Sequence, residues 1–343
     1  MSEAIINSLP YPALLLGADE RIYAANAGAR QIFGDGILGR HHIAIIRQPQ
    51  LLDAVETVRK TKEPGTARYL TTIARRDMTW LAHIAAVGDT DEILISFEDQ
   101  TAVEDAEKQR RDFVANVSHE LKTPLTALLG FIETLRGAAR DDPKAQERFL
   151  TIMEREGLRM NRLVQDLLSL NRVESEERVR PSDTVELVGL SHSVINALSP
   201  LAAENDVKIS GPDQSTKTDV VGDSDQLSQV ITNLLENAIK YSGKGSEVFF
   251  ALESVERHPM VRGPAVILTI RDTGEGIDPL HLPRLAERFY RIDSHRSREM
   301  GGTGLGLAIV KHIVNRHRGR LRFESEMGEG TTVSVILPAF LPE

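Results

Sequence analysis

Between residues 114 and 170, apolar side chains recur in steps of three and four, and the recurrence is broken once. Val114, Val117, Leu121, Leu125, Leu128, Ile132 and Leu135 make the first stripe. After a connection rich in Gly, Asp and Pro from 137 to 143, Phe149, Met153, Met160, Leu163, Leu167 and Leu170 make the second. That period belongs to amphipathic helices. Two of them joined by a short turn form an antiparallel hairpin, which cannot cover both stripes by itself. Pairing of two copies into a four-helix bundle covers them, so a homodimer is expected.

The flanks are patterned differently. Residues 1–100 alternate short apolar runs with turn residues: 13–16, 23–25, 69–73, 81–87 and 93–97 read as strands, with helical spacing near 51–58. Beyond Pro181-Ser182-Asp183 the chain turns mixed. Helices are expected at 186–196, 223–241 and 303–316, and strands at 207–209, 248–252, 266–271, 320–324 and 332–337. Helices on one face of a mixed sheet is the layering this predicts. The expected class is multidomain α+β, with an α/β domain at 1–103, the hairpin at 104–178 and an α/β sandwich at 179–343.

Composition removes several kinds of chemistry. The 343 residues include no cysteine, so disulfides, iron–sulfur clusters, thiolate zinc sites and thiol nucleophiles are excluded. A net charge of −9 argues against a surface built for nucleic acid or anionic lipid. No apolar run approaches the roughly 18 residues of a spanning helix, and the first residues lack a signal-peptide pattern. No transmembrane segment and a cytoplasmic location are expected.

Two constellations carry chemistry. In Phe113-Val-Ala-Asn-Val-Ser-His-Glu-Leu-Lys-Thr-Pro-Leu-Thr126, His119 takes heptad position f if Val114 is a and Val117 is d, the most exposed place. Thr123 lies one turn on along the same face, Glu120 is adjacent, and Pro124 should kink the helix. An exposed imidazole is nucleophilic near neutrality, and a neighbouring carboxylate can orient it or accept its proton. His-Glu also begins the zinc motif His-Glu-x-x-His, but position 123 is Thr, which removes that reading.

The second constellation spans some 80 residues. Asp223-Ser-Asp-Gln226 has the form of a capping box. Leu227, Val230, Ile231, Leu234, Ala238 and Ile239 form the buried stripe of the helix that follows, leaving Asn233, Asn237 and Lys240 together on another side. Carboxamide oxygens suit a hard cation, and an ammonium suits phosphate. Ile270-Arg-Asp-Thr-Gly-Glu-Gly-Ile277 leaves a strand through a turn with two glycines, and Gly301-Gly-Thr-Gly-Leu-Gly-Leu307 precedes an apolar helix. Glycines let backbone N–H groups approach phosphate, and a helix N-terminus favours the negative charge. The P-loop and Rossmann spacings are both missing.

In this order, His119-Glu-Leu-Lys-Thr-Pro124, Asn233-Leu-Leu-Glu-Asn237, Asp272-x-Gly-x-Gly276, Glu287-Arg-Phe-Tyr-Arg291 and Gly302-Thr-Gly-Leu-Gly306 resemble the sensor histidine kinases of two-component systems. The resemblance implies a dimerisation and histidine-phosphotransfer hairpin and a Bergerat-type ATP-binding domain, with ATP and Mg²⁺ as cofactors. It implies that His119 is the phosphoacceptor and Glu120 its general base. Asn237 would hold Mg²⁺, with Asn233 supporting it. Lys240 and Arg291 would contact phosphates, Tyr241 would pack near the base, and Asp272 would accept from the adenine amino group. Gly274, Gly276, Ile277, Gly302, Thr303, Gly304, Leu305 and Gly306 complete the nucleotide boxes, with residues from about 294 to 302 as a lid. Hydrolysing relatives in the wider superfamily place Glu where this chain has Asn233, so phosphotransfer to protein is expected over hydrolysis. Thr123 matches the position that helps dephosphorylate the response regulator, whose receiver domain is the implied partner.

The first hundred residues resemble a PAS domain, from Leu9-Pro-Tyr-Pro12, Asp19-Glu-Arg-Ile22 and Asn26 to Gly39. His41 and His42 are expected to be surface or structural residues rather than haem ligands. Arg47-Gln-Pro-Gln-Leu-Leu-Asp53, with Ala-Leu-Leu-Gly-Phe-Ile-Glu-Thr-Leu135, is similar to phosphate-regulon sensor kinases. Those kinases usually carry an N-terminal membrane anchor, which is not seen in these residues, so either a soluble variant or an anchor upstream of Met1 is expected; peripheral membrane association is compatible with the resemblance.

Overall fold

The computed structural model describes residues 2–88, 90–213, 218–292 and 302–340. Met1–Ala115 and Asn116–Glu343 form two compact units, each with its own sheet.

In the first unit, α1 (Ser2–Asn7) precedes the antiparallel pair β1 (Ala13–Leu16) and β2 (Ile22–Ala25). Then come α2 (Ala27–Phe33), α3 (His42–Ile45), α4 (Pro49–Thr61) and strands β3 (Gly65–Ile73), β4 (Arg76–Ala86) and β5 (Ile93–Asp99). The sheet order is β2-β1-β5-β4-β3, antiparallel throughout, so the first and last strands are neighbours inside it. All five expected strands are present, and the helical spacing near 51–58 is the middle of α4. Leu14, Leu16, Ile84, Ile95 and Phe97 are fully buried, with Phe33 and Tyr69 packed about Phe97 at centroid distances of 5.2 and 5.7 Å. Asn26 caps α2: its Oδ1 accepts from Ala29 N and from Ala13 N, both at 3.0 Å, tying the helix start to β1.

A long helix, α5 (Thr101–Arg136), leaves β5 at once. Its first residue is pinned to the sheet, because Thr101 Oγ1 accepts from Thr79 N at 3.0 Å and Asp99 Oδ1 accepts from Thr101 N at 2.9 Å. The boundary between the units falls inside α5.

In the second unit, the rest of α5 and α6 (Pro143–Glu176) are the expected hairpin, with Phe131 and Phe149 in contact at 5.3 Å between ring centroids. Asp142 caps α6 through Lys144 N and Ala145 N at 3.1 Å, and Pro143 fits the first turn, where no N–H is needed. Beyond it lie β6 (Thr184–Glu186), α7 (Leu187–Glu204), β7 (Lys208–Ser210), β8 (Asp219–Val221) and α8 (Ser224–Ser242). Strands β9 (Glu247–His258) and β10 (Gly263–Arg271), helix α9 (Gly306–Arg316), and strands β11 (Arg320–Glu326) and β12 (Gly330–Pro338) complete it. The main sheet runs β11-β12-β10-β9-β7; only β7 and β9 are parallel, so the sheet is mixed as expected. Val248, Phe250 and Leu252 are buried while Phe249 between them is 42% exposed, so one face is covered.

Helix α8 lies over β9, β10 and β12, flanked by α7 and α9. Its predicted stripe, Leu227, Val230, Ile231, Leu234, Ala238 and Ile239, is buried throughout, each large member contributing about 1.5–3 kcal/mol. Two local expectations need correction. The helix expected at 186–196 is α7 and runs eight residues further, through Pro200. The capping box at Asp223 is only half formed. Asp223 Oδ1 accepts from Asp225 N and Gln226 N, but its own N–H donates to His317 Nε2 at 3.0 Å rather than to Gln226.

Candidate active site

His119 is exposed on α5, as its heptad position predicts, and Glu120 beside it is mostly covered. The helix is not ended by Pro124, which is buried and takes one rung out of the ladder. Thr123 Oγ1 donates to the His119 carbonyl at 3.1 Å, so the hydroxyl lies folded against the helix one turn from the imidazole's backbone.

The second constellation gathers at one end of the sheet and α8. Asn233, Asn237 and Lys240 are half-buried along α8, and Tyr241 is 42% exposed. Asn233 Nδ2 donates to Gly306 O at 3.3 Å, fastening α8 to the start of α9. That bond uses the amide nitrogen, which leaves carboxamide oxygen as the chemistry offered to a hard cation, a donor set that fits Mg²⁺. Lys240 Nζ meets Glu236 at 2.7 Å.

Asp272, at the end of β10, is buried. Its Oδ1 accepts from Gly274 N at 2.9 Å and Thr331 N at 3.2 Å. Burial pushes its carboxyl above the usual carboxylate range, against the pull of those two amides. The glycines around it are required by space. A Cβ on Gly274 would lie 2.3 Å from Tyr241 O, and one on Gly276 (φ +72°) would lie 2.0 Å from Glu326 O. Ile277 N donates to Ser325 Oγ at 2.8 Å, holding the same turn against β11.

The last two boxes are strung together. Phe289 N donates to Gly304 O at 2.8 Å, and Leu305 is buried. Gly304 takes φ +74°, outside helical space, so α9 begins at Gly306 and not at Thr303 as expected. Gly302, Thr303 and Gly304 are half-buried. Of the expected lid, only Gly302 belongs to the described residues.

These boxes also meet the hairpin. Glu120 Oε2 accepts from Arg159 at 2.8 Å and from both terminal nitrogens of Arg291 at 3.4 Å. Thr303 Oγ1 donates to Asp166 Oδ2 at 2.6 Å, and burial raises the Asp166 carboxyl, opposed by that hydroxyl. Glu120, Pro124, Arg159, Met160, Leu163 and Thr303 line one small cavity. Further along α6, Glu174 pairs with Arg288 and His312, and Glu176 with Arg316. Helix α6 packs on α9, and its buried residues are Leu163, Leu170 and Val173. The second stripe therefore serves this contact as well as the hairpin. Arg159 and Asp166 were not expected at the site. Their signal was present as polar residues seven apart on α6, on the flank of the Leu163–Leu170 stripe.

Residues 109–176 match the model of the His Kinase A (phospho-acceptor) domain, and residues 222–340 that of the histidine kinase-, DNA gyrase B- and HSP90-like ATPase. The phosphate regulon sensor protein PhoR of Pseudomonas aeruginosa is 39% identical over 250 residues, 73% of this chain and 54% of that protein. The sensor histidine kinase WalK of Bacillus subtilis is 35% identical over 253 residues, 73% of this chain and 40% of that protein. The chain thus spans about half or less of the length of these relatives. Among solved structures, the histidine kinase ThkA, in complex with the response regulator protein TrrA, covers 99% of both chains with a TM-score of 0.54 at 23% identity. That likeness is one of fold.

Proposed function

The chain belongs to the two-component sensor histidine kinases, and on that premise we propose that it moves the γ-phosphoryl group of ATP onto His119 and then onto an aspartate of a response-regulator receiver domain. The observation that carries this reading is the Arg291–Glu120 contact at 3.4 Å. It joins a residue of the nucleotide boxes to the neighbour of the exposed histidine, so the two halves of a transfer reaction lie within reach of each other.

The chemistry asked of the protein is positioning and charge stabilisation. Asp272 reads the adenine amino group from a buried, fixed oxygen pair. Asn237 and Asn233 offer carboxamide oxygens to Mg²⁺, which when bound screens the phosphate charge. Lys240 and Arg291 supply cations, and the glycine backbone from Gly302 to Gly306 approaches the phosphates ahead of α9. His119 Nε2 or Nδ1 attacks phosphorus as the bond to ADP breaks, and Glu120 takes the imidazole proton. Asn in place of Glu at 233 supplies no base for water, which favours protein over water as acceptor.

Dephosphorylation of the regulator by the same hairpin belongs to the proposal. Thr123 would have to turn its hydroxyl away from the His119 carbonyl to position water. Two hairpins would pair through residues exposed on the isolated chain, among them Val114, Leu125, Leu129 and Ile132. The N-terminal sheet, with first and last strands adjacent, supports a PAS sensory domain, and the domain limits 1–103, 104–178 and 179–343 are part of the same reading. Phosphate limitation is the proposed signal, supported by the 39% identity to PhoR, although WalK relatives match over a similar length. Among the described residues no helix is long and apolar enough to cross a membrane, and cytoplasmic action is proposed.

Incubation with Mg²⁺ and γ-labelled ATP tests the central step. Acid-labile, alkali-stable label on the wild type and none on His119→Ala is the expected result. Equal labelling of both proteins would remove His119 from the mechanism. ATP binding without label on either would favour a protein acting mainly as a phosphatase or as an ATP-binding scaffold.

A further inference from the structure

We propose that Glu20, His41 and His42 in the first unit form a binding site for a transition-metal dication of the zinc class. Among the described residues they are the one group of three such side chains whose ligand atoms converge, all within 4.8 Å of one another. Donors about 2.0–2.2 Å from a tetrahedral metal stand roughly 3.3–3.6 Å apart, so binding would draw the donors closer and turn the nearly parallel His41 and His42 rings until both lone pairs meet one ion.

The backbone builds this meeting. Glu20 follows β1 in a left-handed conformation, φ +64°. Its carbonyl accepts from His42 N at 3.0 Å and from His42 Nδ1 at 3.0 Å. A bridge between Arg21 and His41 clamps the same two segments together. With its proton on Nδ1 and bonded to a carbonyl, the buried His42 presents the lone pair of Nε2. This is the support that metal-ligating histidines ordinarily have. The His41 ring stacks on it at 5.0 Å, and His41 Nε2 lies 3.1 Å from Glu20 Oε2. The other oxygen, Glu20 Oε1, is turned toward Arg59 Nε at 4.0 Å.

His41 Nδ1 accepts from Ile43 N at 3.4 Å, which puts its proton on Nε2, pointing at Glu20. A metal takes that place between Nε2 and the carboxylate, and the ring proton moves to Nδ1 at the expense of the long Ile43 bond. Two borderline imidazole donors beside a single carboxylate select zinc-like ions over magnesium or calcium. Three protein ligands leave a coordination position open, the mark of an exchangeable site rather than a closed structural one.

The test uses the full chain stripped of metal and titrated with Co²⁺, followed by absorption and then by Zn²⁺ competition. One Co²⁺ per protomer with a four-coordinate visible spectrum, displaced by Zn²⁺ and not by millimolar Mg²⁺, is expected. Glu20→Gln and His41→Gln should each weaken Co²⁺ binding at least tenfold. Both positions are partly exposed, so these variants test the site without the folding risk of replacing buried His42; circular dichroism confirms that they fold. Unchanged Co²⁺ affinity in both folded variants, displacement by Mg²⁺, or no binding to the wild type would overturn the proposal.

Discussion

Replacing Asp272 by Asn separates folding from the adenine recognition proposed for this residue. Asp272 Oδ1 accepts from the backbone N–H groups of Gly274 and Thr331. An Asn can keep both bonds only with its own oxygen in that place, because the flipped amide would aim an NH₂ group at two donors. The replaced Oδ2 then becomes a donor facing the adenine amino group, itself a donor. Loss of a charge-assisted bond at a buried group costs about 1.5–3 kcal/mol, which is roughly a ten- to 150-fold increase in the Kd for ATP. Folding moves the other way. Burial raises the Asp272 carboxyl above its ordinary value of 3.8, so the folded protein binds that proton more tightly than the unfolded chain. Stability from this source is complete below 3.8 and is lost as pH rises through the raised value, and the neutral amide of the variant escapes that loss. Asp272→Asn should therefore melt no lower than wild type near neutral pH while binding ATP more weakly. Its preference should also shift toward inosine triphosphate, whose 6-oxo group accepts a hydrogen bond. Calorimetric titration with ATP and ITP, beside a thermal melt, measures all three. ATP affinity within twofold of wild type in a folded Asp272→Asn protein would refute the assignment.

Other changes probe the remaining parts. Thr123→Ala should lose most regulator dephosphorylation and keep autophosphorylation; equal loss of both in a labelled-phosphate assay would count against a separate role. Gly276→Ala must adopt a left-handed backbone and clear a carbonyl 2.0 Å from its Cβ, so urea unfolding should show a loss of about 2 kcal/mol or more. Asp166→Asn keeps an acceptor for Thr303 and removes a buried charge, so it should stabilise the protein near neutrality, with the advantage over wild type shrinking as pH falls toward 3.8. A melting-temperature difference that grows on acidification would contradict that sign. Insertion of one residue near Ala106, between the pinned start of α5 and His119, should change basal autophosphorylation by altering helical register, and an unchanged rate would argue against signalling through that helix.

Legibility followed the range of the interactions. Stripes are local: the α8 stripe from Leu227 to Ile239 and the exposed face of His119 could both be read from neighbours three or four residues away. Ends of elements depended on backbone angles that side-chain periodicity does not register. The apolar run into α9 concealed the positive φ of Gly304, and Pro200 did not stop α7. Long-range polar choices were the least visible. Asp223 could have bonded Gln226 or His317, and only the fold, which brings a residue 94 positions away into place, decides for His317. Arg159 and Asp166 on α6 raised no expectation in the sequence, because their partners, Glu120 and Thr303, lie 39 and 137 residues distant.

The contact between hairpin and nucleotide boxes is rich in charge pairs. Arg291 holds Glu120 through both of its terminal nitrogens, so those N–H groups must let go before they can serve a phosphate. Glu174 and Arg288 are both partly exposed, and such a pair contributes roughly 0–1 kcal/mol, whereas Arg316, which meets Glu176, is buried. An apolar seal of the same extent would resist opening; charge pairs of this kind are weakened by salt within a Debye length of about 10 Å. In the proposed cycle the nucleotide boxes would have to reach His119 and then clear it for a receiver domain, so this contact would have to open. Glu174→Ala combined with Glu176→Ala should therefore leave ATP affinity unchanged and make the autophosphorylation rate less sensitive to added salt. If the double variant keeps the wild-type salt dependence, the ion pairs along α6 do not set the release, and the apolar packing of Leu163 and Leu170 becomes the stronger restraint.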